Sequence, residues 1–174
     1  MAFEQQLTFV NFEVFDSGNR QLGLTDIELP EFNLKTVDIS GAGLLGEYSA
    51  PVPGMAESME VKLKWRVLNV QQGELFRHIQ HRITCRGSQE FQQTGTGIFR
   101  QVPVRIEISG VPKTYSTGKF EPASTTDSEL TVEISRLEIV VDNKQTTLLD
   151  KFNYIWKVSG VDEMSAIRKN LGIA

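Results

Sequence analysis

From Ser58 to Val67 the chain alternates without a break: Met59, Val61, Leu63, Trp65 and Val67 are apolar, while Ser58, Glu60, Lys62, Lys64 and Arg66 are polar. A period of two puts successive side chains on opposite faces, so the segment predicts a strand with one face buried and one wet. Val102, Val104, Ile106 and Ile108 repeat the pattern between Pro103, Arg105, Glu107 and Ser109. A third strand opens near Ser128 with Leu130, Val132 and Ile134, then changes phase to Leu137, Ile139 and Val141. A phase change without a turn signal predicts a β-bulge near Ser135 and Arg136.

Turn residues divide these strands. Asp16-Ser17-Gly18-Asn19 separates Leu7–Phe15 from Arg20–Glu28, Thr94-Gly95-Thr96-Gly97 separates two further strands, and Asp142-Asn143-Lys144 separates the bulged strand from Gln145–Val158. The order predicts an antiparallel meander. Two short helices interrupt it: Leu75, Phe76 and Ile79 share a face within Gln71–Gln80, and Met164, Ile167 and Leu171 share another, with Ser159 or Asp162 as its cap and Gly172 as its stop.

Ser40–Gly54 fits neither period. Four glycines and two prolines over this stretch argue against a regular element, yet Leu44, Leu45, Tyr48 and Val52 argue against a plain solvated linker. Two readings stay open: a long loop packed on its own domain, or an arm that orders against another subunit.

At 174 residues the chain is sized for one domain with an ordinary core. A lone Cys85 cannot form an internal disulfide, and the start Met1-Ala2-Phe3-Glu4 has neither the basic nor the apolar region of a secretion signal, which together predict a protein kept in the cytoplasm. No apolar run approaches the ~18 residues of a membrane helix, so no membrane insertion is expected. The net charge of −4 is uneven: residues 1–60 hold ten acids against two bases, Arg20 and Lys35, whereas residues 61–174 hold twelve acids against sixteen bases. Complementary faces on one chain can attract one another, although solvated strands would carry the same charges.

The inventory for catalysis is thin. His78, His81 and Cys85 form H-x2-H-x3-C, three potential ligands where a structural zinc site needs four; a helix end for His78 and a buried strand position for Cys85 explain them better. Ser116-Thr117-Gly118-Lys119 resembles the end of a phosphate loop, but Phe120 stands where the magnesium-binding hydroxyl belongs. Asp127, Glu129 and Glu133 alternate onto one face, yet no partner for acid–base chemistry accompanies them. Acids interleave with bases throughout, which argues against a nucleic-acid reading surface. No catalytic residue, cofactor or metal is expected. Long amphipathic strands carry exposed edges, and donating them to a closed ring would remove those edges.

Four segments resemble the major tail tube protein family of contractile-tailed phages and phage-tail-like bacteriocins: Gly41-Ala42-Gly43 with Ala50-Pro51-Val52; Met59-Glu60 running into Trp65; Ser116-Thr117-Gly118-Lys119; and Lys157–Asp162 with Arg168, Asn170 and Gly172. The resemblance implies a mainly β fold of two packed antiparallel sheets, a β-sandwich or partial barrel, with one flanking short helix, a long glycine/proline-rich loop and a short C-terminal helix. It implies one domain over 1–174, with 41–57 as the inter-subunit loop and 160–174 as a C-terminal segment on the outer side. It further implies hexameric rings stacked into a virion inner tube that assembles in the host cytoplasm, with a sheath protein, a tape-measure protein and a baseplate or tube initiator as partners. DNA would pass through the lumen without sequence-specific binding.

On that basis Leu44, Leu45, Tyr48 and Val52 are candidates for burial between subunits or rings. Because a basic wall would hold phosphates tightly, Asp127, Glu129 and Glu133 are candidates for the lumen, although Lys62, Lys64 and Arg66 also share one wet face. The alternatives are a tube subunit of a secretion-type contractile injection system with protein cargo, and a small carbohydrate-binding β-sandwich.

Overall fold

The computed structural model describes residues 4–23, 26–41 and 43–173. Eleven strands and two short helices follow in order: β1 Glu4–Phe15, β2 Asp26–Glu28, β3 Leu34–Ile39, β4 Tyr48–Ala56, β5 Glu60–Trp65, α1 Val70–Leu75, β6 His81–Gln93, β7 Phe99–Ser116, β8 Ser128–Val141, β9 Lys144–Asp150, β10 Ile155–Val158, β11 Val161–Asp162 and α2 Ser165–Leu171. Among the described residues all pairings are antiparallel, as the strand and turn order predicts, and the strands fall into two sheets, as the resemblance implies.

The division between the sheets is uneven. Nine strands form one sheet in the order β1-β6-β7-β8-β9-β10-β11, with β5 also on β8 and β2 on β5; β3 and β4 form the other. β8 makes the large sheet fork. Its first half, Ser128–Glu133, pairs with β5, and its second half, Arg136–Val141, pairs with β9. Between the halves Ile134 faces Gly110 and Arg136 faces Ser109, which leaves Ser135 as the extra residue of the expected bulge. The bulge turns the two halves of β8 toward different partners, so the sheet curls into a partial barrel.

The curl makes the core. Val61, Leu63 and Trp65 from β5, Leu130, Val132 and Ile134 from β8, Ile83 and Cys85 from β6, Ile108 from β7 and Val14 from β1 all point inward and are buried. Each such side chain contributes about 1.5–3 kcal/mol on leaving water. Trp65 is buried whole, and its indole nitrogen donates to the Leu22 carbonyl at 2.9 Å. Gln72 of α1 is also fully buried but satisfied: its amide donates to the Val67 carbonyl at 2.8 Å and its oxygen accepts from the Ser128 and Tyr115 hydroxyls. That knot fixes α1 against the mouth of the curl.

Several local expectations change. Residues 41–57 are not one loop, since Tyr48–Ala56 is a strand paired with β3. Pro51 and Pro53 fit there because an edge strand tolerates a missing amide donor. Arg20–Glu28 does not return along β1; only Phe15 and Gln21 bridge, β1 pairs with β6, and β2 pairs with β5. Gln145–Val158 is two strands, because residues 151–154 form a turn with Tyr154 at φ 51°. The first helix is shorter than its pattern: Asn69 caps it by accepting from the Gln72 amide, and the chain tightens after Leu75, where the Ile79 amide bonds the Arg77 carbonyl. Asp162 sits two residues before the α2 cap position of Met164, accepting from the Met164 amide, while Gly172 ends the helix at φ 70° as expected. The Asp142-Asn143 turn has both residues left-handed, the requirement of a two-residue hairpin.

Candidate assembly surfaces

Asp16, Arg20 and Glu74 meet in an open hollow beside α1 but are spent on one another in ion pairs, so the surfaces that stand out are apolar ones. The first is the β3–β4 hairpin, which projects as an arm. Leu44 and Leu45 lie in its turn, with Leu45 fully exposed, and Tyr48 opens β4, also exposed. Val52 is half-buried nearer the root. Val37, Ile39 and Met55 add to the exposed apolar surface, three residues that the motif comparison did not single out. The outward apolar positions of a two-stranded ribbon have no sheet beneath them to enter.

The root of the arm is fixed in two ways. Gly54 has φ +73°, and a Cβ there would collide with the Met164 thioether, so the backbone packs directly on the start of α2. On the other side, Glu133 accepts from the Ser58 hydroxyl at 2.6 Å and the Met59 amide at 3.3 Å, while Lys151 donates to the Glu57 carbonyl at 3.0 Å and to Glu133 at 3.4 Å. Burial pushes the Glu133 carboxyl up, but the Ser58 and Met59 hydrogen bonds and the Lys151 charge outweigh it and hold it below the ordinary range. This clamp sets the direction in which the arm leaves the body.

The acids considered for the lumen do not form a bare acidic patch. Asp127 lies just before β8, exposed and at φ 51°; Glu129 is 3.9 Å from Lys64; Glu133 belongs to the clamp. Lys64 also pairs with Glu28, Lys62 with Glu28 at 3.3 Å, and Lys113 with Glu60. The wet face of β5 and β8 is therefore charge-compensated by the lysines that competed with those acids in the sequence reading.

A free edge of the large sheet, the β1 edge, is the second surface. β1 ends the strand order, and among the described residues only its last stretch is covered from outside, by the Phe15–Gln21 bridge and the Leu22 amide on the Val14 carbonyl. Bulges occur at Leu7 and Val10, and Leu7, Phe9 and Val10 are exposed. Lysine and proline, which protect edges in soluble proteins, are absent from Glu4–Phe15. That absence was visible in the sequence; the edge position was not.

The remaining motif residues are structural. Cys85 lies in the core, where burial pushes its thiol up to about 12. His81 opens β6 and bonds the Arg77 carbonyl at 3.0 Å, and His78 is exposed in the turn before it. Gly118, at φ +74°, lies against the Thr126 backbone, and the Lys119 amide donates to the Thr126 carbonyl at 2.8 Å, so the Ser116–Lys119 segment closes a surface loop. At the C-terminal end Asp162 holds Arg168 at 2.6 Å, and Arg168 in turn donates to the Tyr154 carbonyl at 2.7 Å. The Arg168 hydrogen bond, opposed by partial burial, keeps the Asp162 carboxyl low.

The family model of phage tail tube protein FII matches residues 6–172. The chain belongs to that tail tube family. The tail tube protein of Escherichia phage P2 is 26% identical over 178 residues, covering 99% of this chain and 100% of that protein. Two solved structures share the tail tube fold at 13% identity. One is the sheath/tube terminator of an extracellular contractile injection system in its extended state, with a TM-score of 0.53 over 74% of this chain and 91% of that one. The other is from the sheath-tube complex of the same system, with a TM-score of 0.51 over 74% and 86%. The tail tube subunit is a structural protein of a tail particle, not an enzyme.

Proposed function

We propose that this tail tube subunit assembles with copies of itself into hexameric rings, and that the rings stack into a rigid hollow tube. The observation that carries the reading is the combination of a free edge strand, β1, with an exposed apolar arm. An edge such as β1 gains hydrogen bonds by meeting a neighbour's strand, and an arm with Leu44, Leu45 and Tyr48 in solvent gains by burial against another copy. The two surfaces differ, so each contact is head-to-tail, and such contacts close into rings when the rotation allows. A sheath protein would surround the tube, a tape-measure protein would set its length, a baseplate or tube initiator would start it, and DNA would pass through it.

A second reading replaces DNA by protein cargo. The extracellular injection system among the fold neighbours and the charge-compensated face of β5 and β8 support it. Sedimentation and negative-stain microscopy of the purified protein test assembly: rings or tubes are expected, and a monodisperse monomer at high concentration would sink both readings. Particles isolated with their contents, treated with nuclease or protease, then separate DNA from protein cargo.

A further inference from the structure

The two fastenings of the arm root share an open recess of about 230 Å³. Gly54 and Met164, which form the backbone seat, and Lys151, which donates to the Glu57 carbonyl, all line it, together with Leu149, Tyr154 and Trp156. We propose that Met164 is an oxidation site: a peroxide entering this recess converts its thioether to the sulfoxide, and the sulfoxide unfastens the arm. The proposal concerns the single subunit and does not depend on the assembly reading.

The chain has four methionines, and the surroundings of three of them differ in a telling way. Met59 is 1% exposed within the core, where no oxidant reaches it without unfolding. Met55 is 55% exposed on the arm, where an added oxygen can be hydrated in place. Met164 is 6% exposed, yet it lies outside the main apolar cluster and on the wall of a recess that admits water-sized molecules. A thioether so placed combines access with consequence.

The step is a two-electron oxygen transfer. A sulfur lone pair attacks one peroxide oxygen, and the S–O bond forms as the O–O bond breaks. The leaving hydroxide takes the proton of the transferred oxygen and departs as water, so the sulfur is oxidised and the peroxide reduced.

The product does not fit the seat. Gly54 stands at φ +73° with no room for even a Cβ against the thioether, so an oxygen added on that side lifts the arm. The start of the helix is pinned, since the Met164 amide donates to Asp162 at 3.1 Å and the Met164 carbonyl accepts from the Arg168 amide at 3.0 Å. If the side chain instead swings into the recess to hydrate its new oxygen, Gly54 loses its support. Either route replaces a flexible apolar contact by a polar one and releases the arm root.

Peroxide titration of the Met55→Leu chain tests this, with peptide mass spectrometry to locate the added oxygen and hydrogen exchange to follow the arm. Met164 should oxidise before Met59, while thermal melting still shows a folded protein. Exchange in Leu34–Ala56 should then quicken about tenfold, the scale set by one unsatisfied buried oxygen, and should rise with the fraction of Met164 sulfoxide while β5 and β8 stay unchanged. A chain carrying both Met55→Leu and Met164→Leu, in which a side chain of similar volume lacks the sulfur, should show no difference between its own untreated and treated states. Oxidation of Met164 only together with Met59, an arm unchanged by Met164 sulfoxide, or an arm loosened by peroxide in the double variant each overturns the proposal. Oxidised chains whose arms loosen but which still form tubes at full yield support the site and count against the arm as an assembly element.

Discussion

β4 and β5 are neighbours in sequence, with Glu57, Ser58 and Met59 between them, and both alternate, yet one ends in solvent and the other in the core. In β5 every second residue is fully buried, because β8 and β2 flank it and the curled sheet covers its inner face. In β4 every second residue is at best half-buried, because only β3 pairs with it. The period of two therefore says that a strand has two unlike faces; what covers the buried one is decided by topology, and on our proposal the arm is covered by a second copy. Coverage by the chain itself produces stability, and coverage by another copy produces assembly.

The largest effect should come from the covered strand. Leu63→Ala removes a fully buried side chain from the centre of the curl and should cost about 2–5 kcal/mol. Thermal melting should show a fall of about 5–15 °C; an unchanged melting temperature would mean that β5 is not part of the core. Deleting Leu44–Val52 should do the opposite, leaving the melting temperature within about 3 °C while abolishing tube formation by sedimentation. Normal tubes from that variant would remove the arm from the interface and break the comparison.

The clamp at the arm root gives a smaller effect. Glu133→Gln keeps the shape but loses the charge that faces Lys151, in a site open enough to solvent that the cost should be about 1 kcal/mol or less. Hydrogen exchange should quicken in Leu34–Ala56 and remain unchanged in β5 and β8. Uniformly faster exchange would assign Glu133 to the body rather than to the arm.

The smallest separation is in acid. Asp16, Glu133 and Asp162 all have carboxyls held low in the folded state, Asp16 against its burial by hydrogen bonds from the Arg20 backbone and side chain. A lowered folded value contributes stability that is present above the unfolded range, about 3.9 for Asp and 4.3 for Glu, and is lost as pH falls through the folded values. Melting should therefore be flat from pH 7 to about 5 and decline below about 4. The arm, whose clamp contains Glu133, should show faster exchange at pH 4 before β5 does; simultaneous loosening of both would sink that order.

Much of the body was legible because its signals are local. The change of apolar phase after Ile134 located the Ser135 bulge, and Asp142-Asn143 located the hairpin into β9, since each depends on only a few consecutive residues. The arm strand was not legible: Pro51, Pro53 and Gly54 read as breakers, and their tolerance depends on β4 being an edge and on Met164 lying against Gly54. Likewise, the hairpin signal at Asp16–Asn19 gave a true turn but the wrong partners, because β1 gains a whole strand's length of pairing by choosing β6. The apolar groove between β2 and the strands β1, β6 and β7 could not be read at all. Phe9, Ile27, Cys85 and Ile106 come from four strands scattered along the chain, and only the curl brings them together.

The contact of Gly54 with Met164 seats the backbone of the arm root on the thioether that opens the C-terminal helix, with no room for a Cβ between them. Arg168 continues that linkage from α2 through Asp162 to the Tyr154 turn. The arm root, the start of the helix and the Tyr154 turn are thus tied to one another through Met164, Asp162 and Arg168, none of which belongs to the main apolar cluster, so the anchoring of the arm and the packing of the core rest on different residues.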